Sequence, residues 1–394
     1  MLQSRSTSHS NSFTFVRLAL ALAVVFGHTF AIGGFGADPF YWWSGRRLAI
    51  HELALQGFFI LSGYLLTQSL TLQPSLGRFA VRRCFRILPA YWVALLITAL
   101  GVAPALFAAF YPGRLSYGES LNLPEYSALG YIAHNAFLWS GQNCILPLFL
   151  GNPIRGVING SLWSIFYEAI CYVALGLAAG MGLLKRRNVV LVVFVVLYVP
   201  TVIQAVFPLP SLPAAQAWGR ILNVMFHPAG PNTALPFAAG VATHFLVNGR
   251  SVWSARWFCI ALAAFAVSLP LGAVRVFCPL VVPYLLLCLG EKLPLQKFER
   301  IGDFSYGTYI YAYLIQQCLA QFGVHRLGFG AYLALCVALS VAAGAVSWIL
   351  IERPAIHLGQ RLLLRRPWPA STQDAESQTV CVGLDKHPVT AAPR

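Results

Sequence analysis

Long apolar segments recur along the chain and constrain its fold more than any other feature. Ten stretches approach the roughly 20 residues with which a helix crosses a bilayer. They are 13–32, 48–72, 87–110, 161–184, 189–207, 232–248, 257–273, 276–291, 303–323 and 329–352. Because 58% of the residues are hydrophobic and only 10% are charged, the chain cannot cover a water-soluble surface. We predict an all-α, polytopic membrane helical bundle of about ten transmembrane helices.

Basic residues sort to one side of these predicted spans. Seven of the 27 lysines and arginines fall on the far side, namely Arg46, Arg47, Arg114, Arg155, Arg220, Arg275 and Arg326. The other 20 lie on the N-terminal side, and basic residues concentrate in cytoplasmic loops. Both termini are therefore predicted to be cytoplasmic. The polar stretch 129–150 is predicted to be external or partly re-entrant, because an eleventh span there would move the basic 185–187 across the membrane.

Residues 1–352 are predicted to form one ten-span membrane domain. Residues 353–394 begin as a basic amphipathic stretch and then lose periodicity, which predicts a cytoplasmic interfacial helix and a disordered tail. The nine cysteines stand singly, so neither a metal site nor a disulfide framework is expected. The net charge of +15 resides in short loops between apolar runs. Membrane lipids are therefore expected as partners and nucleic acid is not.

The first span, "RLALALAVVFGH" (17–28), carries an arginine and a histidine. On a helix Arg17 and His28 lie about 16 Å apart along the axis and about 20° from the same face. Arg17 alone is compatible with a snorkelling anchor, and His28 with a histidine bonded to a backbone carbonyl. An ionisable side chain inside a span is also, by default, a functional-site hypothesis.

Two further segments offer binding groups. The loop "GRFAVRRCFRILPAYW" (77–92) holds Arg78, Arg82, Arg83 and Arg86 just before a span. Orientation in the membrane explains these arginines, but guanidinium groups also bind phosphates in bidentate fashion. In "GFFILSGYLL" (57–66), Ser62 and Gly63 are compatible with helix packing or with a slot for a thin ligand chain.

Polar stripes appear in two later spans. In "NGSLWSIFYEAICY" (159–172), Ser164, Glu168 and Tyr172 recur every four residues, with Trp163 and Tyr167 beside them. A carboxylate at that depth needs a cavity, a cation or an internal partner. In "IGDFSYGTYIYAYLIQQ" (301–317), one helical face carries Tyr306, Tyr309, Tyr313 and Gln316. Asp303 is predicted to be the N-cap of this helix.

Taken in order, these motifs resemble the integral membrane acyltransferase-3 family, which O-acylates bacterial polysaccharides, lipopolysaccharides and related glycans. The resemblance rests on Arg17 and His28, "FFILSG" (58–63), "RRCFRILPAYW" (82–92), "SLWSIFYE" (161–168) and "YGTYIYAYLIQQ" (306–317). Family members often have an acidic residue shortly before the paired phenylalanines. Here that position is Gln56, with Glu52 one turn earlier.

The resemblance implies a bacterial inner-membrane enzyme with no tightly bound cofactor. An acyl donor, usually acetyl-CoA, would enter from the cytoplasm and meet a hydroxyl of a periplasmic or surface glycan. The expected donor-binding residues are Arg82, Arg83, Arg86, Ser62 and Gly63. His28 is expected to be the general base or a transient acyl carrier, with Arg17 and Glu168 also catalytic. The expected acceptor-binding residues are Trp163, Tyr167, Tyr309 and Tyr313.

A proton-coupled secondary transporter or flippase is the alternative. In that class Arg17, His28 and Glu168 would serve proton coupling and substrate recognition. Such proteins often carry internal repeats and helices broken by Gly or Pro. No repeat is evident, although the proline-rich segments 207–213 and 227–232 are compatible with broken helices.

Overall fold

The computed structural model describes residues 11–112, 116–121, 123, 125–207 and 229–365, with backbone only at 229–232 and 365. Within these ranges every regular element is helical, and the all-α prediction is confirmed. The α-helices are α1 (Phe13–Ile32), α2 (Pro39–Trp43), α3 (Ile50–Leu72), α4 (Leu76–Leu96), α5 (Ala103–Phe110), α6 (Tyr117–Leu121), α7 (Ala128–Asn135), α8 (Leu162–Gly180), α9 (Arg187–Val206), α10 (Ala229–Val247), α11 (Ala255–Ser268), α12 (Val274–Lys292), α13 (Phe298–Ile301), α14 (Ser305–Gln321), α15 (Phe329–Ser347) and α16 (Arg353–Arg365). π-helical turns at Ile97–Val102 and Trp348–Glu352 join α4 to α5 and α15 to α16.

Seven helical segments in the described ranges are long and apolar enough to cross a membrane. They are Phe13–Ile32, Ile50–Leu72, Leu76–Phe110, Leu162–Gly180, Arg187–Val206, Val274–Lys292 and Phe329–Leu364. The other three predicted spans correspond to α10, α11 and α14. The apolar parts of α10 and α11 and the 17 residues of α14 are shorter. The polytopic fold is thus confirmed, whereas the count of ten spans and the cytoplasmic termini stay predictions.

The largest difference from the predicted boundaries is in α4. This helix begins at Leu76, eleven residues before the predicted span at 87, so its four arginines lie on a helix and not in a loop. Pro74 precedes the helix, and no proline follows before Pro89. Hydropathy places the boundary too late because charged residues lower the local average without breaking the helix.

The polar stretch 129–150 does not form a membrane span. Its helix, α7, has eight residues and is about 12 Å long, far short of a bilayer core of about 30 Å. The Asn135 side chain donates to the backbone oxygens of Tyr131 and Gln142, both at 2.8 Å. Polar residues in this segment therefore hold an irregular backbone together.

The structure describes only the first part of the predicted C-terminal segment, and its interfacial, cytoplasmic placement stays a prediction. Residues 353–365 form α16, which packs on α4, since a Cβ added at Gly359 would lie 2.9 Å from Cγ of Phe85. The predicted disordered tail lies at 366–394, outside the described residues, as do 208–213 and 227–228 of the proline-rich segments.

Helices α3 and α10 cross with their backbones in contact. A Cβ added at Gly63 would lie 2.2 Å from the carbonyl oxygen of Phe237, and one added at Gly240 would lie 2.0 Å from that of Ile60. Small residues allow this approach in membrane proteins. The crossing holds α3 against α10.

This crossing predicts a selective loss of stability when Gly240 is replaced by alanine. The added methyl group must push α10 away from α3, at a cost of about 1–3 kcal/mol. Thermal unfolding of the purified protein in detergent should show a lower midpoint for G240A than for the wild type.

Gly330→Ala is the matched control, because no atom lies within 4 Å of a Cβ added at Gly330. Its midpoint should equal or exceed that of the wild type. Equal midpoints for the two variants would contradict the close crossing.

Candidate active site

Three adjoining cavities run alongside α1 from Arg17 to His28. The first, here the arginine cavity, is lined by Arg17, Ser62, Arg83, Arg86, Glu168, Tyr172 and Tyr306, among others. The second, the middle cavity, shares Arg17, Glu168 and Tyr306 with the first. The third, the histidine cavity, is the largest of the three and shares Leu55 and Tyr309 with the second. The shared walls make one line of cavities.

His28 and a second histidine, His51, line the histidine cavity. Their ring centroids are 4.7 Å apart and the ring planes are inclined by 43°. The Nδ1 atoms of both rings are buried and have no hydrogen-bond partner among the described residues. No group of three His, Cys, Asp or Glu in the described ranges could hold a metal ion. The two imidazole rings are therefore neighbouring titratable groups on one cavity wall.

The predicted acceptor-binding aromatics lie around this cavity at different distances. Trp163 and Tyr309 line it directly. The ring of Tyr313 meets His28 edge to face, with centroids 5.3 Å apart. Tyr167 lies behind Trp163, at 5.8 Å between ring centroids. Trp163 and Tyr309 are thus the two placed to contact a ligand in this cavity.

An ionic cluster closes the opposite end of the line. Asp303 Oδ2 accepts from Arg17 Nη1 at 2.6 Å and from Arg86 Nη2 at 2.8 Å, and Arg86 Nη1 donates to Glu352 Oε2 at 2.8 Å. The Glu352 side chain is 0% exposed. The cluster joins α1, α4 and the start of α14 to the turn after α15.

Asp303 is not the N-cap that the sequence predicts. The N-cap position is held by Phe304. Asp303 Oδ1 accepts from the Ser305 hydroxyl at 2.5 Å and from its backbone N–H at 3.3 Å. One carboxylate oxygen thus holds the start of α14, while the other receives two arginines.

The arginines of α4 have three different environments. Arg86 is committed to Asp303 and Glu352. Arg82 Nη2 donates to the Gln73 side chain at 2.8 Å on the surface. Arg83 lines the arginine cavity, forms none of the ion pairs found in the described residues, and its buried Nε has no partner there. Arg83 is therefore the member of the predicted set that is placed to receive an anion.

Ser62 and Glu168 meet in the arginine cavity. The Ser62 hydroxyl donates to Glu168 Oε1 at 3.4 Å, and the Tyr172 hydroxyl donates to the same oxygen. Glu168 lines the first two cavities but is not among the residues lining the histidine cavity. Gly63 contacts α10 and not a cavity. The structure thus brings Ser62 and Glu168 to the Arg17 end and leaves Gly63 in helix packing.

Sequence reasoning missed His51 and Glu352. His51 begins the second span in "AIHELALQ" (49–56), and Glu352 is a carboxylate at the last position of a predicted span. Ionisable groups in such positions are functional candidates in a membrane protein. That rule identifies the residues but not their partners.

Comparison with known proteins decides the family. The sequence profile of the acyltransferase-3 family, described as an acyltransferase domain, matches residues 10–351. The chain belongs to this family. Combined with its apolar helices, this membership makes the protein a multi-pass membrane acyltransferase.

Two relatives align with almost the whole chain. Nodulation protein 10 of Rhizobium leguminosarum bv. viciae is 27% identical over 379 residues, covering 92% of this chain and 97% of the relative. The O-acetyl transferase of Shigella phage Sf6 is 26% identical over 362 residues, covering 87% and 95%. No solved structure matches the chain.

The ionic cluster predicts that Arg86 is required for stability. Replacing Arg86 with Met leaves the Glu352 carboxylate buried without a cation, and breaking a buried pair in this way costs about 3–5 kcal/mol. Thermal unfolding and the monodisperse fraction on size-exclusion chromatography should both fall for R86M.

The double variant R86M/E352Q tests the cause. Because the glutamine is neutral, the double variant should recover most of the stability that R86M loses. No recovery would show that Arg86 acts by another route than pairing with Glu352.

Proposed function

We propose that this acyltransferase moves an acyl group from cytoplasmic acyl-CoA to a hydroxyl of a periplasmic or surface glycan across the bacterial inner membrane. The observation that carries the proposal is the line of cavities from Arg17 and Arg83 to His28. A donor bound along it would have its anionic end at one side of the membrane and its acyl group near the other. The acyl group is taken to be acetyl, after the relative that is an O-acetyl transferase.

Arg83 and Arg17 supply the positive end of this line. CoA carries phosphates at one end and a thioester at the other, joined by a thin and largely neutral pantetheine arm. Arg83 forms none of the salt bridges found in the described residues and lines the arginine cavity beside Arg17. Charge-assisted hydrogen bonds to phosphate are the strongest that such side chains make. Acyl-CoA is therefore a co-substrate held by its phosphates and not a resident cofactor.

The middle cavity suits the pantetheine arm. Its wall combines the apolar Leu55, Phe58 and Phe59 with the hydroxyl groups of Ser164 and Tyr309. The Ser164 and Tyr309 hydroxyl oxygens lie 2.6 Å apart. A narrow passage with a few polar groups accommodates an amide-containing chain and excludes bulk water.

The histidine cavity is where the donor and acceptor meet in this proposal. His28 acts there as general base toward the acceptor hydroxyl or as the transient carrier of the acyl group. Trp163 offers an aromatic face to the sugar ring of the acceptor. Because this cavity is the largest of the three, the proposal places the saccharide unit of the acceptor in it.

Replacing His28 with Ala is expected to abolish acyl transfer. Loss of a general base or carrier lowers rates by about 10²–10⁴-fold. Mass spectrometry of surface polysaccharide, from cells that express the variant in place of the wild type, measures the acetyl content, and immunoblotting of membranes checks the amount of protein.

His134→Ala is the control for His28→Ala, because His134 is exposed and its Nδ1 lies 2.8 Å from the backbone oxygen of Gly130. This variant should acetylate at the wild-type level. If H28A acetylated the glycan at the wild-type level, the catalytic role of His28 would be contradicted.

Arg83→Gln is expected to weaken acetyl-CoA binding about tenfold or more, because a hydrogen bond to a charged group contributes about 1.5–3 kcal/mol. Arg82→Gln is the matched control, because it removes the charge of the neighbouring residue, which does not line the three cavities, and it should bind as the wild type does. Titration calorimetry on the detergent-purified protein measures both. Absence of saturable binding by the wild type, with proton-coupled uptake of a solute, would favour a transporter instead.

A further inference from the structure

We propose that His28 and His51 divide the chemistry, so that His28 carries the acyl group and His51 takes the proton of the acceptor hydroxyl. This inference rests on the proposed function and assigns a role to a second histidine. Its starting observation is the pair of imidazole rings, 4.7 Å apart between centroids, that line one cavity.

The pair is built by a close crossing of α1 and α3. A Cβ added at Gly27 would lie 2.8 Å from the backbone nitrogen of His51, so only a glycine at position 27 admits the first turn of α3 here. His28 follows Gly27 in α1, and His51 is the second residue of α3. The two rings therefore meet because two rigid helices bring them together.

The carboxylates closest in sequence to His51 accept hydrogen bonds from backbone N–H groups. Glu52 Oε2 accepts from the backbone N–H of Ala49 at 2.8 Å. Asp38 Oδ1 accepts from the backbone N–H of Tyr41 at 3.0 Å and from that of Ile50 at 3.4 Å. Both carboxylates thus cap helices, α3 and α2 respectively.

A third polar group of the cavity, Gln56, is also occupied. Its side-chain oxygen lies 3.0 Å from Cys278 Sγ. A catalytic histidine normally depends on a neighbour that exchanges a proton with it or fixes its tautomer. The imidazole of His51, whose ring centroid lies 4.7 Å from that of His28, is placed to do this.

The first half-reaction involves His28 and the donor. A neutral ring nitrogen of His28 attacks the thioester carbonyl, so a C–N bond forms and the C–S bond breaks. The proton on the other ring nitrogen leaves with the CoA thiolate as a free thiol. The products are CoA and a neutral acyl-imidazole at His28.

The second half-reaction needs the second histidine. The acceptor oxygen attacks the acyl carbon, a C–O bond forms and the C–N bond breaks, while the hydroxyl proton passes to His51. His28 leaves this step one proton short. His51, next to it, returns that proton and both rings are neutral again. The sum is one acyl group moved from sulfur to oxygen, with no other reactant consumed.

One imidazole cannot fill both roles in this sequence. While one His28 nitrogen is acylated, the ring is a poor base, because the electron-withdrawing acyl group lowers the basicity of the other ring nitrogen. Two imidazolium cations at this separation would repel each other strongly. The two histidines therefore hold one added proton at a time. This is what the proposed relay requires, because the proton moves from the acceptor hydroxyl to His51 and then to His28.

Isotope exchange separates the two half-reactions. Labelled CoA enters acetyl-CoA only if an acyl-enzyme forms, and no acceptor is needed. We expect the purified wild type and His51→Gln to catalyse this exchange at similar rates, and His28→Ala to lose it. Acetylation of surface glycan in cells should fall about hundredfold or more in H51Q. His134→Gln, with its exposed ring, should match the wild type in both assays.

The outcomes distinguish this inference from the proposed function. Wild-type glycan acetylation by H51Q, or an equal loss of exchange and acetylation in H51Q, would overturn the division of roles. If the wild type acetylated glycan but catalysed no CoA exchange, the acyl group would pass directly from donor to acceptor. That result would also overturn the division of roles, but it would leave the proposed function standing. If the wild type catalysed neither CoA exchange nor glycan acetylation, the proposed function itself would be contradicted.

Discussion

Asp303 is the group on which the arrangement of this bundle depends. Its carboxylate binds Arg17 of α1 and Arg86 of α4, and Arg86 in turn binds Glu352 after α15. Charges within a membrane protein need such partners, because leaving one unpaired there is costly. The cluster fixes the start of α1, and so the direction in which α1 runs past the three cavities.

The opposite end of the bundle is held by hydrogen bonds of uncharged side chains. Gln316 of α14 donates to the backbone oxygen of Val25 at 2.8 Å and to the Thr29 hydroxyl at 3.0 Å, which ties α14 to α1 next to His28. Gln317 donates to the backbone oxygens of Ile154 and Val157 at 2.9 and 2.7 Å. Because both ends of α14 are fixed, Tyr306 and Tyr309 lie between them as walls of the cavities. The catalytic proposal therefore depends on a rigid scaffold.

Local sequence signals predicted much of this structure. The helical runs follow from apolar residues in unbroken stretches, and the common face of Arg17 and His28 follows from helical spacing alone. Contacts between distant segments could not be predicted in this way. Arg86 and Glu352 are 266 positions apart, and spacing did not indicate that Arg86 is paired while Arg83 faces a cavity. His51 reaches His28 only because α1 and α3 cross at Gly27.

A cryo-electron-microscopy structure with a non-hydrolysable acetyl-CoA analogue tests the central claim most directly. The account predicts phosphates beside Arg17 and Arg83, the pantetheine arm in the middle cavity, and the acetyl carbon next to the His28 ring. An analogue bound outside the line of cavities, or with its acetyl group at the Arg17 end, would contradict it.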